Sequence, residues 1–547
     1  MFNFKNNIMK KVYLFVAFVI CVSMSLFAQT PLVQGTGAVV PEYNFMYSEQ
    51  YPVYEDEDQF VNYHLSYGNG KKNEHHSLVY YDKSRKSVYE ENLSLPIGFR
   101  YIHSHVVGEV VNLYYYLIDN KTQKCTIYSA TASLSRSSNG IQELKPEEIF
   151  VQNVGKKAEV WSYASQSPDG SKYAFAVALL DGKDVLKGIY ISAYDNSATE
   201  LWSNIYQPQI KGNSFSIEDM KFSDKGKVVM LLSTATNEKR KVLNPMAQLL
   251  SFNENDVVSM EMPAEFGTIS SMKMMILPNG NYMVGGYYGE KKLLTAGYFT
   301  AIFNEREEEL EHSTVVPFDV KTKNIGQNDI NPNEITECRG LYQLDNEYIA
   351  LLGEQRQTIM YVDQRTGQKS YSHRLGNILC TLIAKDGENV GTEVIHKRQL
   401  LSNGVQMGER NSGERRTAIR ILGFNVNAGA GEPVYQYPNG GVSFYPIIKG
   451  SDIYFIYTDN IKNFNGKNKK PERLSVNVAQ TKQTCVVMAK FANLGDVERK
   501  VVMLPTKLKE SFNTVWNVDG DRVYFGTFGK NYSIYHFDLD GQWRDRK

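Results

Sequence analysis

The sequence predicts an all-β chain built from a tandem repeat, on three observations. Short runs rich in β-branched and aromatic residues follow one another along the chain, 36 Tyr and 26 Phe accompany only 17 Pro, and helical periodicity is nearly absent. The runs include VVNLYYYLI (Val110–Ile118), KYAFAVALL (Lys172–Leu180), VVMLLST (Val228–Thr234), NYMVGGYY (Asn281–Tyr288), YIALLGE (Tyr348–Glu354), DIYFIYT (Asp452–Thr458) and RVYFGTF (Arg522–Phe528). Each has strand length and is introduced by Gly, Asn or Asp. The best helical candidate, NEREEELEH (Asn304–His312), is too short and too uniformly charged for a core helix.

The repeat is read from the turns. Ser167-Pro-Asp-Gly170 leads into one apolar run, Ser223-Asp-Lys-Gly226 into a second and Leu277-Pro-Asn-Gly280 into a third. Asp169, Asp224 and Asn279 stand 55 positions apart in two equal steps, which implies a supersecondary unit in tandem. Looser copies are expected at His105–Leu117, Gln343–Gly353, Lys449–Thr458 and Asn517–Phe528. Each unit also carries a second pair of runs, as in Gly188–Trp202, Ala296–Arg306 and Cys485–Val502. A repeat of about 55–70 residues with about four short strands has the size of a β-propeller blade.

The fold class expected is therefore a single all-β propeller of antiparallel four-stranded blades, seven in number, with eight as the alternative. Residues 29–547 form the propeller, with loop insertions near 321–337, 403–416 and 460–471. The segment Tyr43–Ser48 is expected to complete the last blade, removing two sheet edges.

Ser167–Phe175, SPDGSKYAF, resembles the repeat signature of TolB-type, WD40-like propellers, in which Pro-Asp-Gly makes the turn into an inner strand. The match is close in one unit, Ser167–Trp202, lacks the Pro at Phe222–Leu232, and has Asn for Asp at Leu277–Tyr287. The resemblance implies architecture and no activity, because propellers host many unrelated functions.

The N-terminus, MFNFKNNIMKKVYLFVAFVICVSMSLFAQT, places basic residues before an apolar run from Val12 to Ala28. This is the pattern of a signal peptide over residues 1–28, with Met1 or Met9 as the start. The expected location is the periplasm, outer surface or extracellular space. Cys21 lies inside the apolar run and lacks a lipobox. Lys plus Arg equals Asp plus Glu at 60 each; without residues 1–28, which hold Lys5, Lys10 and Lys11, the balance is 57 against 60, or −3. Such a balance carries no electrostatic footprint for nucleic acid. The acidic Glu55–Asp58 and the basic Lys467–Lys470 read as solvated loops.

Cys125, Cys338, Cys380 and Cys485 are dispersed, form no CxxC, and read as small buried hydrophobes, although the exported compartment permits disulfides. No GxSxG, HExxH, P-loop or EF-hand loop is present; Asp538-Leu-Asp540-Gly541 reads as a turn. His103 and His105 share a strand face and could share a metal, but read as an exposed or packed pair, and His75-His76 sits in a polar loop where adjacent side chains diverge. Val284-Gly285-Gly286 reads as a bulge or a close backbone approach. No catalytic residue is assigned, and no cofactor or metal is expected. The function expected is a monomeric, non-catalytic scaffold or binding protein of the bacterial cell envelope that holds a protein or glycan partner on its face loops. The alternative is a secreted carbohydrate-active enzyme, glycoside hydrolase or lyase, whose acids cluster at the central channel; buried carboxylates with displaced pKa values would mark it.

Overall fold

A computed structural model describes residues 48–539 apart from internal segments, the longest of which are 402–419, 426–442 and 465–475. Its order is a succession of antiparallel meanders. The first sheet runs Ser48–Glu55, Gln59–Tyr67, Glu74–Asp82, Ser87–Ser94, and the second Arg100–Val107, Val110–Asp119, Lys124–Ser133, Glu147–Asn153. The third holds Glu159–Gln166, Lys172–Leu180, Leu186–Asp195 and Glu200–Tyr206. The fourth holds Ser214–Phe222, Val228–Glu238, Lys241–Phe252 and Val257–Glu261, and the fifth Thr268–Ile276, Tyr282–Glu290, Leu293–Asn304 and Glu309–Pro317. The sixth begins Ile335–Gln343, Ile349–Val362, Lys369–Ile383, Asn389–Ile395. The seventh is Phe444–Lys449, Asp452–Asn460, Thr484–Asn493, Asp496–Met503, and the eighth Ser511–Asp519, Arg522–Phe528, Tyr532–Asp538. Eight such sheets of three or more strands lie among the described residues, where seven blades, or eight as the alternative, are expected from the sequence.

The strands form here because successive residues face two neighbouring sheets, so almost every position of a second strand is apolar. In Lys172–Leu180, Ala174, Ala176 and Ala178 pack toward the fourth sheet while Tyr173, Phe175 and Val177 pack toward the second. Among the described residues seven apolar clusters fill the seven spaces between consecutive sheets. The first strands of neighbouring sheets approach one another from the first sheet to the sixth, and again between the seventh and eighth. Sheets that converge on their first strands and diverge outward are the blades of a propeller.

Three short strands are grafted onto the sheets. Ile141–Glu143 adds in parallel to Ser87–Ser94, and Val476–Asn477 in parallel to Gln399–Leu401, which itself pairs with Lys369–Ile383. Ser48 already belongs to the first sheet, opposite Ser66, rather than to the last; Tyr43–Tyr47 lie outside the described residues. Of the expected insertions, 321–337 ends inside the inner strand that begins at Ile335, 460–471 opens with a 3-10 turn at Ile461–Asn463, and 403–416 lies outside the described residues, as does Lys467–Lys470. Asn304–His312 is a turn followed by the outer strand Glu309–Pro317.

Candidate functional site

The repeated turn has one geometry in four sheets. Gly170 N donates to Ser167 O, Gly226 N to Ser223 O, Gly280 N to Leu277 O and Glu347 N to Leu344 O. Gly170, Gly226 and Gly280 have φ of +68°, +83° and +92°, the left-handed region that glycine enters without steric cost. Glu347 takes the same position at φ +70°, which is why the sixth-sheet copy is hard to see in sequence. Asp169 serves the turn: its carboxylate accepts from Ser171 N at 2.9 Å and from the Ser167 hydroxyl at 2.6 Å. Those hydrogen bonds hold its pKa well below the usual carboxylate range.

Adjacent turns are tied together. Asp169 N donates to Asp224 Oδ1 at 3.2 Å, Lys172 Nζ to the Asp224 carbonyl at 2.9 Å and Trp202 Nε1 to the Gly226 carbonyl at 3.1 Å. Lys225 pairs with Glu305 Oε2, while Lys227 Nζ reaches Glu308 Oε1 at 2.8 Å and the Glu305 carbonyl at 3.2 Å. Between these turns opens a cleft of about 320 Å³, lined among others by Pro168, Asp224, Lys225, Pro278, Glu305 and Gln343. Glu305 is only 2% exposed, and its Oε1 has no hydrogen-bond partner; Gln343 Oε1 is likewise buried and unpartnered.

A second constellation lies on the inner strands, one layer inward from the turns. A bulge at Glu218 breaks the alternation of Ser214–Phe222, so Glu218 and Asp219 are both buried beside the fifth sheet. Asp219 Oδ2 accepts from Met274 N at 3.1 Å, and Lys273 Nζ donates to the Glu218 carbonyl at 2.6 Å. On the next inner strand Glu337 accepts from Arg356 at 2.5 Å and stands 3.5 Å from Arg339, whose guanidinium lies over the Phe444 ring of the seventh sheet. Burial raises the Glu218 pKa, against the hydrogen bond from Ser233 (2.6 Å) and the Lys273 charge, and with help from the negative charge of Glu337. Burial also pushes Glu337 up, but Arg356 and Arg339 outweigh it and bring the group below its ordinary value. The environments of two interacting carboxylates thus move their pKa values apart.

A third group is closed. Lys397 and Glu354 form a fully buried ion pair, Ser443 Oγ donates to Glu354 Oε2 at 2.5 Å, and Gln399 bonds Ser443 N at 2.7 Å and the Thr458 hydroxyl at 2.9 Å. Its polar groups satisfy one another between the sixth and seventh sheets.

The residues singled out in sequence fall elsewhere. His105 stacks on Tyr173 at 4.2 Å and His103 tilts against the same ring at 5.3 Å, so of the exposed or packed alternatives the pair is packed. His75 is exposed, but His76 is a buried strand residue bonded to the Tyr63 hydroxyl at 2.5 Å, which corrects the loop reading. Cys125, Cys338, Cys380 and Cys485 are free and buried, and burial raises each thiol's pKa. A Cβ on Gly286 would come within 2.4 Å of Ser271 O, a close backbone approach; the register shift of this strand pair lies on the facing strand, between Ile269 and Ser271. Asp538 ends a strand and pairs with Arg522 at 3.1 Å. Among the described residues no three His, Cys, Asp or Glu side chains converge as a metal site. Sequence reading passed over Glu218-Asp219 in SFSIEDMKF and Glu337 and Arg339 in ITECRGLYQ; charges in the middle of inner-strand runs were the available signal.

No family model matches the chain, and no curated protein matches it. Among solved structures it is similar to a protein of unknown function from Bacteroides caccae (12% identity, 62% of this chain and 94% of that one, TM-score 0.25). It is similar also to the β-propeller domain of the Trilobed protease from Pyrococcus furiosus (12% identity, 80% and 95%, TM-score 0.32). A third is an α-L-arabinanase of Penicillium chrysogenum (8% identity, 67% and 97%, TM-score 0.29). The propeller assignment rests on this chain's own sheet order and inter-sheet cores.

Proposed function

We propose that the chain is an exported, monomeric, non-catalytic propeller of the cell envelope that recognises a partner, protein or glycan, on the face formed by its repeat turns. The observation that carries this reading is the cleft among the turns of Ser167–Gly170, Ser223–Gly226 and Leu277–Gly280, held in place by bonds between neighbouring sheets. Loops fixed on a rigid frame suit recognition. The interior carboxylates support the non-catalytic part: Glu218, Glu337 and Glu354 are each bonded to a protein group and contribute nothing to that cleft. The basic and apolar stretch Lys10–Ala28 supports export, and the likeness of Ser167–Phe175 to TolB-type repeats agrees with an envelope setting.

A second reading, a carbohydrate-active enzyme, is favoured by one observation, the Glu218 and Glu337 pair with opposed pKa displacements. One set of preparations separates the two. The wild-type chain, Asn279→Arg at the cleft edge and Glu218→Gln are each used to capture partners from envelope fractions and to digest a polysaccharide panel. Recognition predicts capture that Asn279→Arg abolishes and Glu218→Gln leaves intact, with no new reducing ends. Reducing ends that disappear in Glu218→Gln would establish the enzyme instead.

A further inference from the structure

We infer that Arg374 and Arg398, at the root of a hairpin arm on the sixth sheet, form a receptor for a phosphoryl group. The inference stands apart from the turn-face reading, because this end of the sheet lies opposite the turn at 344–348. Ile335, the first residue of the inner strand, meets Arg356, and beyond it residues 357–362 pair with 369–374. The grafted strand Gln399–Leu401 lies along that root, with Leu400 opposite Arg374 and Gln399 opposite Leu375. Arg398 comes next in the same register, two residues before Leu400, so it shares a face with Arg374 as its diagonal neighbour.

The two charges are close and uncompensated. Arginine offers a fork of N–H donors and no acceptor. Among the described residues, the only hydrogen bond from either guanidinium runs from Arg374 Nη1 to Gln357 Oε1 at 3.3 Å, and neither forms an ion pair. Like charges this close on a sheet face are destabilising. Burial first, and then the Arg374 charge, lower the Arg398 pKa against the pull of Glu334. Glu334 does not answer both arginines. It is buried, its Oε2 stands 2.7 Å from where a Cβ on Gly376 would be, and burial raises its pKa against the charges of Arg374 and Arg398. A single acid pushed toward its neutral form leaves the pair with positive charge to spare.

Both arginines are half-buried, so a group arriving from solvent can reach them. Their donor set selects an oxyanion, and the number of forks selects its kind. A carboxylate fills one guanidinium fork with its two oxygens, whereas a phosphoryl group brings three acceptor oxygens and about two negative charges, enough for two forks. A free phosphate monoester and a lipid headgroup present the same oxygens to the pair. Either one offsets the repulsion between the arginines and so stabilises the folded chain on binding.

The test uses the full chain as wild type, Arg374→Gln, Arg398→Gln and Lys187→Gln. Each is titrated calorimetrically with inorganic phosphate, glycerol 3-phosphate and succinate, and floated with phosphatidylcholine vesicles with and without phosphatidic acid. Phosphate is expected to bind wild type saturably and about tenfold or more weakly in each arginine variant. Lys187→Gln, which removes an exposed charge on the third sheet, should leave that binding unchanged. Retention on phosphatidic acid vesicles that both arginine variants lose assigns the lipid headgroup; binding of glycerol 3-phosphate without such retention assigns the free monoester. A thermal melt in phosphate-free buffer tests for a merely structural role. Arg398→Gln loses no protein hydrogen bond and is expected to melt no lower than wild type, while added phosphate raises the melting temperature of wild type and not of the arginine variants. Absence of saturable phosphate binding, succinate bound as tightly as phosphate, or indifference to both arginine variants overturns the inference. So does an Arg398→Gln chain that melts well below a wild type unmoved by phosphate.

Discussion

Gly226 and Glu347 occupy equivalent turn positions with the same left-handed backbone, and only one of them is glycine. A Cβ at Gly226 would meet nothing within 4 Å, so Gly226→Ala isolates the backbone term. It is expected to cost about 1–2 kcal/mol, read from urea denaturation. Glu347→Gly should act in the opposite direction, by up to about 1 kcal/mol, because glycine's gain in the turn is partly offset by its freer unfolded chain. The Glu347–Lys385 ion pair lost with it is exposed on both sides and contributes little. A Glu347→Gly variant less stable than wild type would show that the turn is held by something other than its dihedral angle.

Within a sheet, glycine does a different job. In Tyr282–Glu290 an added methyl at Gly286 would press on Ser271 O and Met272 at 2.4 and 2.8 Å, whereas at Gly285 it would meet the end of the Leu341 side chain at 3.0 Å. Backbone cannot yield as a leucine rotamer can, so Gly286→Ala should cost about 1–3 kcal/mol and Gly285→Ala clearly less. Thermal melts of the two variants measured together check the order. This is also the scale at which sequence reading succeeded and then stopped. The turns and second strands were legible because their constraints are local: a left-handed glycine, then apolar residues on both faces. The site was not. Glu218 and Arg339 sit at bulges, and a bulge changes which face a side chain joins without altering composition. Glu305, in a turn, and Gln343, at the end of an inner strand, line one cleft only after the fifth and sixth sheets have packed, and in the sequence they stand 38 positions apart.

For the whole molecule, acid sensitivity should begin in the first sheet. His64 and His76 are both 3% exposed, and their Nε2 atoms have no hydrogen-bond partner. Burial lowers the first to about 3 and is the largest influence bringing the second to about 4. The folded values lie below the unfolded one, so between pH 4 and 6.5, roughly, the unfolded chain binds more protons. Stability is full above about 6.5 and falls as the pH drops through that window, by about 2 kcal/mol per imidazole at about pH 5. Hydrogen exchange at Val61–Leu65 should therefore lose protection at about pH 5 relative to 7.5, and His64→Phe should remove part of that loss. Equal protection at the two pH values would sink the idea.

The ties across the repeat have a consequence for how this chain can change length. Asp169 N meets Asp224, and Met274 N meets Asp219, each across 55 positions. One bond lies on the turn face and the other on the inner strands, so the fourth sheet is keyed to the third at one height and to the fifth at another. A residue gained between Asp219 and Asp224, in the fourth sheet's inner strand or its turn, would shift one key against the other. Growth must therefore be accommodated in connections that carry no key, such as those between one sheet's outer strand and the next sheet's inner strand. The bonds thus fix the short step from Asp219 to Asp224 and leave the 55-residue spacing free to vary, so that step is the part of the repeat least open to insertion.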